Sequence, residues 1–341
     1  MSATFPNAAP SFRGRIGGDA RSGYYPVPHR YRLHVAPSCP DGLRIAVTHS
    51  LLGLGATLPV TPLPALPDAP DGGYTALRPL YEASAHRHPG PAAPPVLSDA
   101  WTGRVVSTHA GEILGDLVRH FGGPGSRDVP PAGREAVTRA VGRLCDQGVS
   151  DAAQRAGRSD ADDAARSAAL EGLLLTLGMF ERRLSGSPCL LGEEPTPADV
   201  HLWVALVQLD TVHRWHLDAA AVHRVTGHPR LWAYARRLAS HPAFAPHLDL
   251  EGIVLRHHAH CRGREAAGAA VRIVDWRPTG PVDRAPAVTV SEPLAERIGR
   301  AGGSEGASGG PAASGRGEVR GGRGQELPGP RSLHATASDQ L

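Results

Sequence analysis

The stretch Tyr31-Arg-Leu-His-Val-Ala-Pro-Ser-Cys39-Pro40-Asp-Gly-Leu-Arg44 constrains the fold more than any other part of the chain. Tyr31, Leu33 and Val35 alternate, a Cys-Pro pair follows, and Leu43, Val47, Leu51 and Leu52 then recur at helical spacing. This predicts a strand, a short loop, and a helix with a cysteine at its start. The first backbone N–H groups of a helix have no intrahelical partner and point at whatever sits before them. A thiol placed there can be held as thiolate, with its pKa drawn from ~8.5 toward roughly 3.5–7.5. Pro40 suits the first helical position, where its missing N–H costs nothing. The competing reading of Cys39 is a buried cysteine that acts as a small hydrophobe.

Several function classes fall away on composition. The 341 residues have room for two domains, and no apolar run approaches the ~20 residues needed to span a bilayer. Met1-Ser-Ala-Thr-Phe-Pro-Asn has neither a basic start nor an apolar core, so no secretory signal is expected and the chain reads as cytoplasmic. Cys39, Cys145, Cys189 and Cys261 are scattered without C-x-x-C spacing, which predicts free thiols. A net charge of +3 is too small to indicate nucleic acid, and neither a nucleic-acid nor a membrane partner is expected. Every basic residue other than histidine is arginine, a mark of GC-rich coding that makes any one arginine cluster uninformative.

The order of elements divides the chain. Residues 1–22 read as a flexible N-terminal arm, and residues 66–93 as loop-rich. Pro94-Pro95-Val96-Leu97 and Val105-Val106 bracket a turn at Asp99-Ala-Trp101-Thr-Gly103, a hairpin signal. A helix follows with Ile113, Leu114, Leu117, Val118 and Phe121 on one face. The sequence β-α-β then β-β-α is that of a thioredoxin-like domain, placed at 23–125. Helical spacing dominates 135–280, with helices over Ala164–Leu184, after Thr196, and from about Pro229 to Ser240. Thr196-Pro-Ala-Asp199 is an aspartate variant of the capping box. Residues 281–341 are rich in Gly, Ser, Pro and Arg with few large apolar groups, so a disordered tail is expected.

A thioredoxin-like half with a Cys-Pro helix start, joined to an all-helical half, resembles the cytosolic glutathione transferases. Phe12-Arg13, Tyr31-Arg-Leu-His-Val, Cys39-Pro40, Pro94-Pro95-Val96-Leu97, Gly148-Val149, Pro197-Ala-Asp199-Val-His-Leu-Trp203, Leu209-Asp210…His216 and Ile273-Val-Asp275-Trp276 follow one another as in the glutathionyl-hydroquinone reductases, the omega-like Xi class. The resemblance covers roughly residues 12–278. It implies an α/β plus all-α architecture, a thioredoxin-like domain followed by a helical glutathione-transferase C-terminal domain, and a homodimer.

It also implies a chemistry. In that family the cysteine attacks the thioether sulfur of a glutathionyl-hydroquinone, releases the hydroquinone, and is left as a mixed disulfide that a second glutathione resolves. Cys39 takes the nucleophile's place. Pro95 falls at the cis-proline of thioredoxin-like folds, with Val96 in the same segment. Ser107, Thr108 and His109 are the candidates for the γ-glutamyl end of glutathione, which the family's Glu-Ser pair holds at a helix start. Here His109-Ala110 stands at that pair, so Ser107 or Thr108 either substitutes or is a helix cap. The family's Cys-Pro-Trp-Ala-His has become Cys39-Pro40-Asp41-Gly42-Leu43, which removes an aromatic wall. The charge of Asp41 either opposes a thiolate or steadies a helix N-terminus. Arg44 reads either as local charge support or as a solvated helix residue.

On the substrate side, family tyrosines map onto His213 and onto His257 or His258, and Ser150 replaces another tyrosine. An imidazole can replace a phenol as donor or proton shuttle, and it titrates near neutrality. His213 and His216 are expected to share a pocket. His257-His258-Ala-His260-Cys261 also carries metal-ligand types, pairing His257 with His260 or His258 with Cys261 at i, i+3, but no matching set completes a site and no metal is expected. Three functions compete. The first is a Cys39-dependent reductase or transferase using glutathione or another low-molecular-weight thiol, such as mycothiol, on a hydrophobic or quinone-type electrophile. The second is an omega-type thioltransferase, and the third a catalytically silent protein of the same fold that binds a ligand or partner.

Overall fold

Cys39 owes its position to how β1 (Tyr31–Val35) hands over to α1 (Pro40–Leu51). In the computed structural model, which describes residues 12–121, 131–261 and 272–276, these residues form a four-stranded sheet ordered β2-β1-β3-β4. The flanking strands are β2 (Val60–Pro62), β3 (Val96–Asp99) and β4 (Arg104–Ser107). β1 runs parallel to β2 and antiparallel to β3, and β3 runs antiparallel to β4. With α3 (Ala110–Asp116), prolonged by a π-helical turn over Leu117–Phe121, this is the thioredoxin-like arrangement.

Two expectations for this half change. Residues 12–22 belong to the arm expected to be flexible, yet Arg13 bridges to Ser107 and the Gly14 amide donates to the Val106 carbonyl at 2.8 Å. Ile16 is buried, and the Asp116 carboxylate accepts from the Ile16 amide at 2.8 Å. An edge strand presents unpaired backbone groups, and this segment covers those of β4. The span 66–93 contains a short helix, α2 (Arg78–Ser84). Tyr74, Leu77 and Tyr81, spaced i, i+3 and i+7, bury themselves against Ala36, Val96 and Val105.

The helical half begins at α4 (Pro131–Cys145) and continues through α5 (Ala152–Ala156), α6 (Asp163–Arg183), α7 (Pro197–Thr211), α8 (Ala219–Thr226), α9 (Pro229–Ala239) and α10 (Leu250–Cys261). α7 is buried along nearly its whole length and packs against α1, α4, α9 and α10. The capping box at its start is present, with the Asp199 carboxylate accepting from the Thr196 amide at 2.8 Å. That carboxylate also accepts from the Leu190 amide at 2.8 Å and the Tyr234 hydroxyl at 2.9 Å. The two halves share α1: Leu43 and Val47 enter the helical core, while Ile45 and Ala46 enter the core under the sheet.

At the other end of α7, the buried Asp210 carboxylate accepts from the amides of Ile273 and Val274 (2.7 and 3.2 Å), from Trp276 Nε1 (2.8 Å) and from Arg214 Nε (3.1 Å). Trp276 then meets Trp203 edge-to-face at 6.4 Å. The expected tail over 281–341 lies outside the described residues. No described helix is long and apolar enough to cross a membrane. Asp210→Ala strands a buried guanidinium and releases the returning segment, so it should destabilise the fold by about 3–5 kcal/mol. Urea melts of the two proteins check this, and a loss below about 1 kcal/mol would contradict it.

Candidate active site

The C-terminal end of β1, the N-terminal end of β3 and the C-terminal end of β4 lie at one end of the sheet, because His34 pairs with Val96 and Leu97 with Ser107. The topology therefore gathers there Cys39, Pro95 and Val96, and the run Ser107-Thr108-His109 that opens α3. The Pro94–Pro95 peptide is cis. Cys39 is the N-cap of α1, its amide donating to the Ala36 carbonyl at 3.0 Å and its Sγ accepting from the Gly42 amide at 3.4 Å. Gly42 is required by this approach: a β-carbon there would stand 2.1 Å from the Ala36 carbonyl oxygen.

The electrostatics of Cys39 differ from the depressed pKa that its helix-start position suggests. Burial pushes the thiol above its ordinary value. The Gly42 amide pulls the other way, the Asp41 carboxylate adds to the rise, and the Arg256 guanidinium offsets part of it. A half-buried sulfur loses more by leaving water than one amide returns.

Arg256, on α10, is a residue that sequence reasoning missed. Its Nη1 donates to the Ala65 carbonyl and to the Tyr74 hydroxyl, each at 3.3 Å, and Ser38 Oγ donates to the same carbonyl at 3.1 Å. α10 is thereby tied to the loop beside the Cys-Pro turn. Arg44 is not solvated. It is buried and pairs with Asp41 at 3.4 Å and with Asp146 of the helical half at 2.6 Å.

Of the residues expected to hold the γ-glutamyl end, Ser107 is buried and its Oγ accepts from the His109 amide at 3.1 Å. The Thr108 amide donates to the Phe12 carbonyl at 3.0 Å, and His109 is the N-cap of α3. Ser107 thus shapes the turn into α3.

His213 and His257 come together, although they are far apart in sequence. His213 opens a 3-10 turn, His213–His216, just after α7. His257 lies on α10 with its ring 5.1 Å from that of His216, edge to face. Burial, with His216 and His257 beside it, pushes His213 down to about 4, so this imidazole does not titrate near neutrality. Cys261 joins the group through His257 and His216. The fold thus places a thiol at the sheet end and an imidazole cluster on the helical side, with Arg256 reaching from the second toward the first.

The family description "Glutathione S-transferase, C-terminal domain" matches residues 163–237. The glutathionyl-hydroquinone reductase PcpF of Sphingobium chlorophenolicum is 28% identical over 291 residues, spanning 80% of this chain and 90% of that protein. The glutathionyl-hydroquinone reductase YqjG of Escherichia coli K12 is 25% identical over 278 residues, 74% of this chain and 83% of the other. The structure of the Xi glutathione S-transferase of Phanerochaete chrysosporium superposes with a TM-score of 0.61 at 25% identity, over 76% of this chain and 94% of that one. The chain is similar to the glutathionyl-hydroquinone reductases and to Xi-class glutathione transferases, and part of its helical half matches the glutathione S-transferase C-terminal domain. Asp41, Gly42, His109 and Ala110, where the sequence departs from the motifs it resembles, lie in the first turn of α1 and at the start of α3.

If Asp41 and Arg256 bias Cys39 in opposite directions, the rate of Cys39 alkylation against pH should report both. The profile should have its midpoint above that of an ordinary thiol, move down in Asp41→Asn and move up in Arg256→Gln. Iodoacetamide labelling read by peptide mass checks this. A midpoint below the ordinary value, or one unmoved by both substitutions, would contradict it.

Proposed function

We propose that this chain is a thiol-dependent reductase of the glutathionyl-hydroquinone reductase type, with Cys39 as its nucleophile. The reading rests on one observation: Cys39 caps α1 at the sheet end that also carries the cis Pro94–Pro95 peptide, Val96 and the start of α3. An extended thiol peptide laid along Val96 would bring its sulfur toward Cys39. Such a peptide would find polar atoms at Ser107, Thr108 and His109 at its other end. The names of the relatives, glutathionyl-hydroquinone reductase and glutathione transferase, support glutathione as the thiol. Loss of the Glu-Ser pair keeps another low-molecular-weight thiol in view.

The reaction balances with two thiols. The Cys39 thiolate attacks the sulfur of a thioether-linked conjugate, an S–S bond forms, and the carbon–sulfur bond breaks. The leaving aromatic carbon takes a proton and departs as the hydroquinone. A second thiolate then attacks the mixed disulfide, frees Cys39 and leaves as the symmetric disulfide. His213 and His257 are assigned to the electrophile. Held neutral by burial, His213 serves as a hydrogen-bonding group in place of a phenol, not as an imidazolium acid. Arg256 favours the thiolate, and Asp41 opposes it.

The raised pKa of Cys39 also favours a second reading, a silent protein of this fold that binds a ligand without turnover. Intact mass after exposure to glutathione disulfide, and separately to mycothiol disulfide, separates the two. The first reading predicts one adduct on the wild-type chain, absent from Cys39→Ala, together with hydroquinone release from a glutathionyl-hydroquinone that falls at least a hundredfold in Cys39→Ala. No adduct from either disulfide, with Cys39 shown to be reduced, would establish the silent reading.

A further inference from the structure

The imidazole cluster contains a third element that the reductase reading leaves unused. Cys261 ends α10, and its Sγ lies 3.2 Å from His257 Nδ1 and 3.4 Å from His216 Nε2. The three side chains each offer one ligand atom, and all three atoms lie within 4.8 Å of one another. We propose that His216, His257 and Cys261 form a binding site for a borderline-soft divalent cation, with zinc as its natural occupant.

The spacing fits the ion. Tetrahedral zinc, with Zn–S near 2.3 Å and Zn–N near 2.0–2.1 Å, sets sulfur and nitrogen about 3.5 Å apart and two nitrogens about 3.4 Å apart. Both sulfur–nitrogen separations already stand close to that figure. The two nitrogens need to approach by at most about 1.4 Å, the difference between 4.8 Å and that spacing. Rotation of the half-buried His216 ring toward the buried His257 supplies such a movement.

The ligands sit on built structure. His257 and Cys261 are one helical turn apart, at i and i+4, and so share a face of α10. His216 comes from the turn after α7, which lies against α5. Gly157, just past α5, permits that approach, because a β-carbon there would stand 2.6 Å from His216 Cβ. Two imidazoles and one thiolate suit zinc over calcium or magnesium, which take oxygen. Three protein ligands leave a fourth position for water or another group.

Binding converts the Cys261 thiol to thiolate and releases one proton to solvent, so affinity rises with pH. Ligation of His257 through Nδ1 leaves its remaining proton on Nε2 and fixes the ring as a donor there. The cation thereby also pins the end of α10, the helix that carries Arg256, to the turn after α7. Metal binding at the site requires neither Cys39 nor turnover.

The test uses the full-length chain freed of metal by a chelator and then titrated with cobalt(II), read by absorption. One equivalent should produce tetrahedral d–d bands and a thiolate-to-cobalt charge-transfer band, both displaced by zinc. Cys261→Ser should abolish the charge-transfer band, His216→Ala should weaken cobalt binding at least tenfold, and Cys39→Ser should change neither. Circular dichroism of each variant confirms that it is folded, and the zinc-induced rise in melting temperature of the wild type should vanish in Cys261→Ser. No charge-transfer band in the wild type, or one that survives Cys261→Ser, would overturn the site and leave a hydrogen-bonded His-Cys-His trio. None of these readings depends on activity, so failure here is separable from failure of the reductase assignment.

Discussion

Burial of α7 along nearly its whole length is the constraint on which the rest of the structure depends. A helix so deeply buried cannot leave its terminal polar groups to water, and two aspartates meet that requirement. Asp199 closes the capping box and ties in Leu190 and Tyr234, and Asp210 gathers Arg214 and the returning segment 273–276. With those ends satisfied, α7 can serve as the surface against which α1 is laid on one side and α10 on another. Cys39 opens α1, and Arg256 and His257 belong to α10. The separation of thiol and imidazoles is therefore fixed by packing on a common helix.

The electrostatic character of the thiol follows from that packing. α1 is shared by two cores, so Cys39 at its start is partly withdrawn from water, and desolvation outweighs the helix-start amide. A tryptophan beside a thiol supplies an apolar wall, whereas Asp41 brings a charge and engages Arg44, which in turn reaches Asp146. Position 41 thereby joins an ion-pair link between the halves. Arg256, arriving from the far end of the chain, is the cation that acts on Cys39 against this.

Much of this was legible in the sequence, for identifiable reasons. β1 and α1 declare themselves because alternation changes to helical spacing across Cys39-Pro40, and the capping box of α7 is written in Thr196 and Asp199. α2 escaped notice because its Pro- and Gly-rich surroundings mask the spacing of Tyr74, Leu77 and Tyr81. The near-complete burial of α7 does not show as periodicity, since both faces are apolar. Arg256 carries no signal in a chain whose basic residues are all arginine. The partnership of His257 with Cys261 was visible at i, i+4, while attention to i, i+3 pairs missed it; the contribution of His216 needed the fold. The pKa of Cys39 depends on burial, which the helix-start pattern alone does not report.

The central claim is that a thiol peptide lies along Val96 with its sulfur on Cys39. A crystal structure of the protein grown with glutathione disulfide tests it most directly. The account predicts continuous density from Cys39 Sγ into one glutathionyl group, paired with the Val96 backbone, its γ-glutamyl end near Ser107 to His109. Glutathione bound elsewhere, or a Cys39 left reduced while another cysteine carries the adduct, would contradict it.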